Sequence, residues 1–198
     1  MAGFFLFYGA IIAILLYAIY AILDYSGLFY DIVVEIRQHP VGHLRLAYLY
    51  STGHYKNSTR LFKRVKAVAP ERRSIGLYYD DTKTTPENEW RYAIGTILSE
   101  DDGDPNVDET LMQRLKDDGF RLAEFPAMQT AVTTKFPLRW FLSTFCVLFR
   151  VFPKLDNVIK LQGLHAPTHI EIYENDMVYF YRPLSDHDAY LVPEARRK

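Results

Sequence analysis

The sequence predicts an α+β fold: two tandem βαββ units related by a pseudo-twofold axis, set behind one N-terminal apolar helix. Three observations predict it. The segments "SIGLYYDD" (74–81) and "HIEIYEND" (169–176) match at Ile75/Ile170, Leu77/Ile172, Tyr78/Tyr173 and Asp81/Asp176, and every pair is 95 positions apart (75 to 170, 81 to 176). Each segment sits in the same succession of strand, helix, strand, strand. The stretch "FFLFYGAIIAILLYAIYAIL" (4–23) carries no charge.

The apolar stretch comes first. Twenty residues in a helix reach ~30 Å, about the thickness of the hydrocarbon core. A cleaved signal peptide would start basic, have a shorter apolar core and end in a small-residue cleavage site. Here no Lys or Arg precedes the run, and the run is too long. Residues 1–25 are therefore expected to be an uncleaved membrane anchor, with Phe4, Leu6, Ile11, Leu15, Leu16, Ile19 and Leu23 meeting lipid. Arg37 and Arg45 follow the helix with no basic residue before it, which places the rest of the chain in the cytosol. The sequon "NST" (57–59) offers a topology test, because it would be modified only in a lumenal domain.

Residues 26–42 read as a junction punctuated by Gly27, Pro40 and Gly42, with "DIVVEIR" as a short edge strand. The domain is expected over 43–194. "HLRLAYLY" (43–50) alternates as a strand. "NSTRLFKRVKAV" (57–68) is a helix with Asn57 or Ser58 at its cap and Leu61, Phe62, Val65 and Val68 on one stripe. Strands follow at 74–80 and 90–98. A helix at 108–118, closed by Gly119, and a strand at 120–127 bridge the halves. The second unit has a strand at 130–136, helical residues 138–162 broken at Pro153, and strands at 168–174 and 177–184 with a turn near Asn175–Asp176. Residues 195–198 read as the start of a C-terminal tail.

Composition narrows the function. With 198 residues, 49% hydrophobic and 24% charged, the chain has enough apolar material for one cored domain plus the anchor. A net charge of −1 gives no overall pull toward nucleic acid. Its single cysteine, Cys146, excludes an intramolecular disulfide and suits a reducing compartment. No P-loop, GxGxxG, GxSxG or HExxH motif is present. No catalytic residue, metal or cofactor is expected.

Strand alternation sorts the side chains at the seam between the units. Ile75, Leu77, Ile170 and Ile172 are expected under the helices. Ser74, Gly76, Tyr78, His169, Glu171 and Tyr173 are expected to face an open cleft on the other side. Gly76, Tyr78, His169, Glu171 and Tyr173 are the ligand-cleft candidates. Glu171 has Gly76 as its pseudosymmetric partner, so a carboxylate faces empty space, an arrangement suited to a cationic amphiphile or a peptide. The alternative is a partly exposed sheet carboxylate paired to Lys or Arg. Glu171→Gln is expected to leave folding intact if the cleft is open, and to destabilise if the carboxyl is buried in a structural pair.

The pattern "IEIY-x-x-D" followed by an aromatic strand ending in "PL" resembles the GyrI-like domain, the effector-binding fold of bacterial multidrug regulators and gyrase-inhibitory proteins. In many relatives the glutamate of "E-x-Y" lies in the ligand cleft; by motif position it falls on Glu171. The leading apolar helix with "YSGL" (25–28), "RSIGLYYD" (73–80), "AIGTILSE" (93–100), "GFRLAEFPA" (119–127), "LDNVIK" (155–160), "IEIYEND" and "YLVPE" (190–194) resembles the testis-expressed GyrI-like family of the endoplasmic reticulum. That resemblance implies a single-pass protein of the reticulum membrane with a cytosolic GyrI-like domain, found also on autophagosomes and at the nuclear periphery. It implies a receptor in selective autophagy of the reticulum, linked to recruiting the AAA unfoldase to topoisomerase–DNA adducts, a DNA-repair role. The expected partners are autophagy-modifier proteins and that unfoldase, bound through an acidic tail beyond the stretch resembled. Within this sequence "FYDI" (29–32) is the fair candidate for a modifier-binding motif. The alternative is a small amphiphile-binding module, or a weak hydrolase, built on Glu171.

Other signals carry less. Asp102, Asp104, Asn106 and Asp108 follow calcium-loop spacing, but Val107 and Gln113 stand where the loop needs Gly and Glu. The six histidines lack metal-site spacing. Cys146, among Phe145, Val147 and Leu148, reads as a buried inert thiol. Arg60, Lys63, Arg64 and Lys66 form a basic helix face that suits anionic lipid or a partner. "LRWFLSTFCVLFRVF" is too short between Arg139 and Arg150 to span a membrane, and reads as a core helix with a possible partner face.

Overall fold

The structure, a computed structural model, describes residues 2–101 and 109–196. Helix α1 covers Ala2–Tyr25. Its Phe4–Tyr25 stretch, 22 residues of mean hydropathy 2.4, is not buried against the rest of the chain. By length and composition it is compatible with a membrane anchor. Phe4, Leu6, Ile11, Leu15, Leu16 and Ile19 are all exposed, and Leu23 is partly covered. The helix ends in a left-handed cap. Gly27 adopts φ +84°, its N–H donates to the Asp24 carbonyl at 2.9 Å, and the Leu28 N–H donates to Leu23 at 3.0 Å. A side chain at position 27 would also strike the Phe136 ring, 2.6 Å from its first carbon.

Strand β1 (Glu35–Gln38) follows, then β2 (Leu44–Thr52), helix α2 (Ser58–Val68), β3 (Ser74–Tyr78) and β4 (Arg91–Glu100). Helix α3 (Glu109–Asp117) and β5 (Arg121–Phe125) connect to the second unit. That unit contains β6 (Thr130–Pro137), α4 (Phe141–Cys146), a π-helical turn (Val147–Val151), α5 (Phe152–Leu161), β7 (His169–Glu174) and β8 (Met177–Pro183). A 3-10 turn (His187–Tyr190) and the short helix α6 (Pro193–Arg196) close the described chain. The expected calcium-like spacing at 102–108 lies outside the described residues. So does Asp108 of the expected helix at 108–118.

The eight strands form one antiparallel sheet in the order β1-β6-β8-β7-β3-β4-β2-β5. The order reads the same from either end once β6, β8 and β7 are matched to β2, β4 and β3. The two units meet where β3 pairs with β7, and Gly76 lies directly opposite Glu171. Because these two are also counterparts in the repeat, the pseudo-twofold axis passes through their pair. The tandem βαββ reading holds, and the edge strand expected in "DIVVEIR" is β1, hydrogen-bonded to β6.

Two expectations fail. The helix of the second unit is not broken at Pro153. A proline has no N–H to return to the preceding turn, and the chain answers by widening to a π turn at 147–151 before resuming as α5. The helices also cover the opposite face from the one expected. Helix α2 packs Leu61 and Val65 on Ala47, Tyr92 and Ile94, while Phe62 and Tyr78 lie against the same cluster. The second helical segment packs Cys146, Val147 and Val151 on Phe136, Val178 and Phe180. Cys146 is buried, as the sequence predicts. Ile75, Leu77, Ile170 and Ile172 point away from both helices. They are covered by Val41, Met128 and the C-terminal residues Tyr190, Val192 and Ala195. The central sheet is therefore buried on both faces. The C-terminal segment is tied down by Arg91, which donates to the Ala195 carbonyl at 2.6 Å, and by Tyr48, which donates to Glu194 at 2.9 Å.

Candidate functional site

Strands β3 and β7 bring the five cleft candidates together. Alternation puts Tyr78, Gly76, His169, Glu171 and Tyr173 on one face, and register sets Tyr78 opposite His169. Glu171 is 5% exposed and His169 7%. One Glu171 carboxyl oxygen meets His169 Nε2 at 2.9 Å; the other accepts a short hydrogen bond from the Tyr173 hydroxyl. The Tyr78 hydroxyl is within hydrogen-bonding reach of Ser58 and Tyr173. Tyr78 and Tyr173 are each partly buried.

Aromatic residues close over this network. Phe62 of α2 packs edge-on against Tyr173, with ring centroids 4.9 Å apart. Phe152, at the start of α5, packs edge-on against His169 at 5.2 Å and against Phe180 at 5.7 Å. The space expected at Gly76 is filled: a Cβ there would lie 3.0 Å from the Tyr78 ring and 3.3 Å from Phe62. Among the described residues, two hollows lie elsewhere. One, of about 670 Å³, is lined by Tyr79, Arg91, His187 and Arg196 on the C-terminal side. The other, of about 510 Å³, lies by Arg73, Glu100 and Glu174. The open cleft expected around Glu171 is a sealed polar seam.

Its electrostatics follow from burial. Desolvation holds the His169 imidazole below its ordinary value of 6.5, reinforced by the Arg182 cation, against the opposing pull of Glu171. Burial, and then the Glu171 charge, push the phenols of Tyr173 and Tyr78 well above their usual value of 10. The residues are thus a neutral imidazole and two phenols that stay protonated, all donors or dipoles around one carboxylate. Arg182 is the largely buried cation nearby. It donates to Asp156 and to the Ala166 carbonyl, each at 3.4 Å, while its Nε is buried without a hydrogen bond. Phe62 was visible in the sequence only as a helix stripe residue. Phe152 and Arg182 carried no signal, because their part depends on packing across the seam. Among the described residues no cluster of His, Cys, Asp and Glu is placed to hold a metal.

The basic face of α2 is divided. Arg60 and Lys63 are exposed. Arg64 donates to the Asp118 carbonyl at 2.6 Å, and Lys66 to the carbonyls of Pro70 and Arg72 at 3.2 and 3.1 Å. The "FYDI" segment is not a free linear motif. Ile32 is buried in the core, Tyr30 packs on Phe136, and Phe29 stacks on Tyr20 of α1.

These features define a class of fold: a tandem βαββ body whose first helix is an apolar span. No protein-family model matches the chain. The chain is 34% identical over 188 residues to Testis-expressed protein 264 of Homo sapiens, covering 95% of this chain and 59% of that protein. It is 34% identical over 176 residues to the Testis-expressed protein 264 homolog of Mus musculus, covering 89% and 56%. The chain therefore spans less than two thirds of the length of these curated relatives, and neither carries an enzyme's name. An uncharacterized conserved protein from Listeria innocua shares the fold, with a TM-score of 0.52 at 12% identity over 77% of this chain and 92% of that one.

Proposed function

We propose that this chain is a single-pass adaptor of the endoplasmic reticulum membrane, its GyrI-like body in the cytosol, acting as a receptor in selective autophagy of the reticulum. The observation that carries the choice of adaptor over ligand-binding or hydrolytic module is the sealed seam. Glu171 is occupied by His169 and Tyr173 and roofed by Phe62 and Phe152. A carboxyl so occupied has no room for an amphiphile and no space for a substrate carbonyl or its attacking water. The similarity to Testis-expressed protein 264 over 95% of the chain supports the same reading. Recruitment of autophagy-modifier proteins, and of the AAA unfoldase to topoisomerase–DNA adducts, belongs to the same proposal as implied by family resemblance.

Two measurements test it. Asn57 is exposed, so glycosylation of the chain synthesised with microsomes reads its topology. An unmodified Asn57 with a protease-accessible body is expected, and a glycan at Asn57 would overturn the cytosolic placement. In cells deleted for the chain, delivery of a reticulum reporter to lysosomes on starvation should fall. It should recover with the native chain but not with one whose residues 2–25 are replaced by a soluble leader. Unchanged delivery on deletion would refute the receptor reading.

A further inference from the structure

The segment that runs from α4 through the π turn is apolar on two sides. Ser143, Cys146, Val147 and Val151 face the core. On the opposite side Phe141, Phe145, Leu148 and Phe149 are exposed at 66%, 51%, 48% and 74%. Spacings of four, seven and eight residues from Phe141 align them as one stripe along a helical segment. Nothing else in the described chain covers it, and a stripe of three Phe and one Leu facing water is unfavourable in proportion to its apolar area.

Its position decides what covers it. The stripe begins at the foot of α1. Trp140 packs edge-on against Tyr25, the last residue of that helix, with ring centroids 6.1 Å apart. The Arg139 guanidinium lies 5.2 Å over the Tyr25 ring and donates to its carbonyl at 3.5 Å. Arg150 donates to the carbonyls of Gly27 and Tyr30 at 2.8 and 2.9 Å, and Lys154 donates to that of Ile32. Arg139, just ahead of the helical segment, and Arg150 and Lys154 within it thus grip the chain where it leaves α1, so the body does not hang from a loose tether. Phe29, itself exposed, turns back to stack on Tyr20, more than one helical turn inside the span. A Tyr and a Trp at the end of the span, with Arg at the same level, have the composition of a membrane–water boundary.

We infer that the α4–π segment lies along the bilayer interface as a second membrane contact, with Phe141, Phe145, Leu148 and Phe149 in the acyl region, fixing the body's orientation on the membrane. The inference rests on α1 spanning the bilayer. An interfacial helix places its apolar face in lipid while its polar neighbours stay at the headgroups, the division seen between this stripe and Arg139 and Arg150.

The test uses the full chain in phosphatidylcholine liposomes. Cysteines are introduced singly at Phe145, Phe149, Ile14 and Lys160 and spin-labelled, with the unsubstituted chain and its buried Cys146 as the blank. Oxygen and an aqueous nickel chelate report the depth of each label. Labels at 145 and 149 should be oxygen-accessible and shielded from nickel, at a depth of about 5–10 Å below the headgroup boundary. The label at Lys160 should be aqueous and that at Ile14 deepest. Aqueous labels at 145 and 149 with a deep label at Ile14 would overturn the inference and leave the anchor standing. An aqueous Ile14 would overturn the anchor itself. Labels at 145 and 149 shielded from both agents, or coupled to each other between molecules, would show that protein rather than lipid covers the stripe, and would equally overturn it. All four substituted residues are exposed, so circular dichroism of each labelled chain should match the native one.

Discussion

Replacing Glu171 by Gln keeps the size of the side chain and removes only its charge and one acceptor. In the native seam one carboxyl oxygen accepts from Tyr173 and the other meets His169 Nε2 at 2.9 Å. Hydrogen bonds to a charged group contribute ~1.5–3 kcal/mol each, and neutral ones about 1. The glutamine oxygen keeps the Tyr173 bond. Its amide meets His169, which accepts only after moving its own proton to the other ring nitrogen. The two bonds survive in weaker form, a loss of ~1–4 kcal/mol. Arg182 adds to the loss, since its largely buried guanidinium feels the Glu171 charge and its nearest other carboxylate, Asp156, is at 3.4 Å. The easier desolvation of an amide works in the opposite direction. Because both carboxyl oxygens are already bonded and a cation is close, the loss wins at ~2 kcal/mol. For a chain of this size that lowers Tm by about 4–8 °C. Glu171→Ala strips the acceptor from both partners and leaves a void, at ~3–4 kcal/mol. Thermal and urea unfolding of the full chain in detergent, followed by near-ultraviolet circular dichroism of the tyrosines, measures both. A Gln variant as stable as the native chain, or an Ala variant no worse than Gln, would refute the description of a fully bonded carboxylate.

Two further predictions follow from the same seam. His169 is held neutral, its folded pKa lying below the ordinary 6.5. The unfolded chain therefore binds the extra proton first as pH falls, so stability is fully present above about pH 6.5 and declines below it. Urea midpoints between pH 7.5 and 5 should fall for the native chain and fall less for His169→Gln; parallel declines would refute the assignment. His187, also held low by partial burial, leaves a residual slope in the same direction. Gly95→Ala and Gly76→Ala should rank by what their new methyl meets. At Gly95 it runs into the Ala47 carbonyl, which the sheet cannot move, at a cost toward the upper end of ~1–3 kcal/mol. At Gly76 it meets the ends of Tyr78 and Phe62, which yield, so the cost sits toward the lower end of ~1–3 kcal/mol. The reverse order in urea midpoints would contradict the packing described.

How much of this was legible depends on which physical quantity carries the information. The repeat is a property of one-dimensional spacing, and the pairing of Gly76 with Glu171 follows from it: an antiparallel seam between equivalent strands must place some residue opposite its own counterpart. Alternation likewise sorted His169, Glu171 and Tyr173 onto one face and Ile170 and Ile172 onto the other. What alternation does not encode is which set the helices cover. Alternation points the helices to the wrong face here because a pattern with one solvated sheet face gives the isoleucines to the helices. The C-terminal residues Tyr190, Val192 and Ala195 supply a second apolar cover and take the isoleucine face instead. That leaves α2 and α5 for the face bearing the carboxylate, so their aromatics, Phe62 and Phe152, become its roof. The same tertiary step separates a cleft from a seam. Pattern reasoning counts the small residue at Gly76 as empty space, whereas packing fills such space with the nearest large side chain. The sealed carboxylate and the uncovered α4–π stripe have a common origin. With helices committed to one face and the C-terminal segment to the other, the apolar surface left over lies outside the core, at the foot of α1, the surface we assign to the bilayer interface.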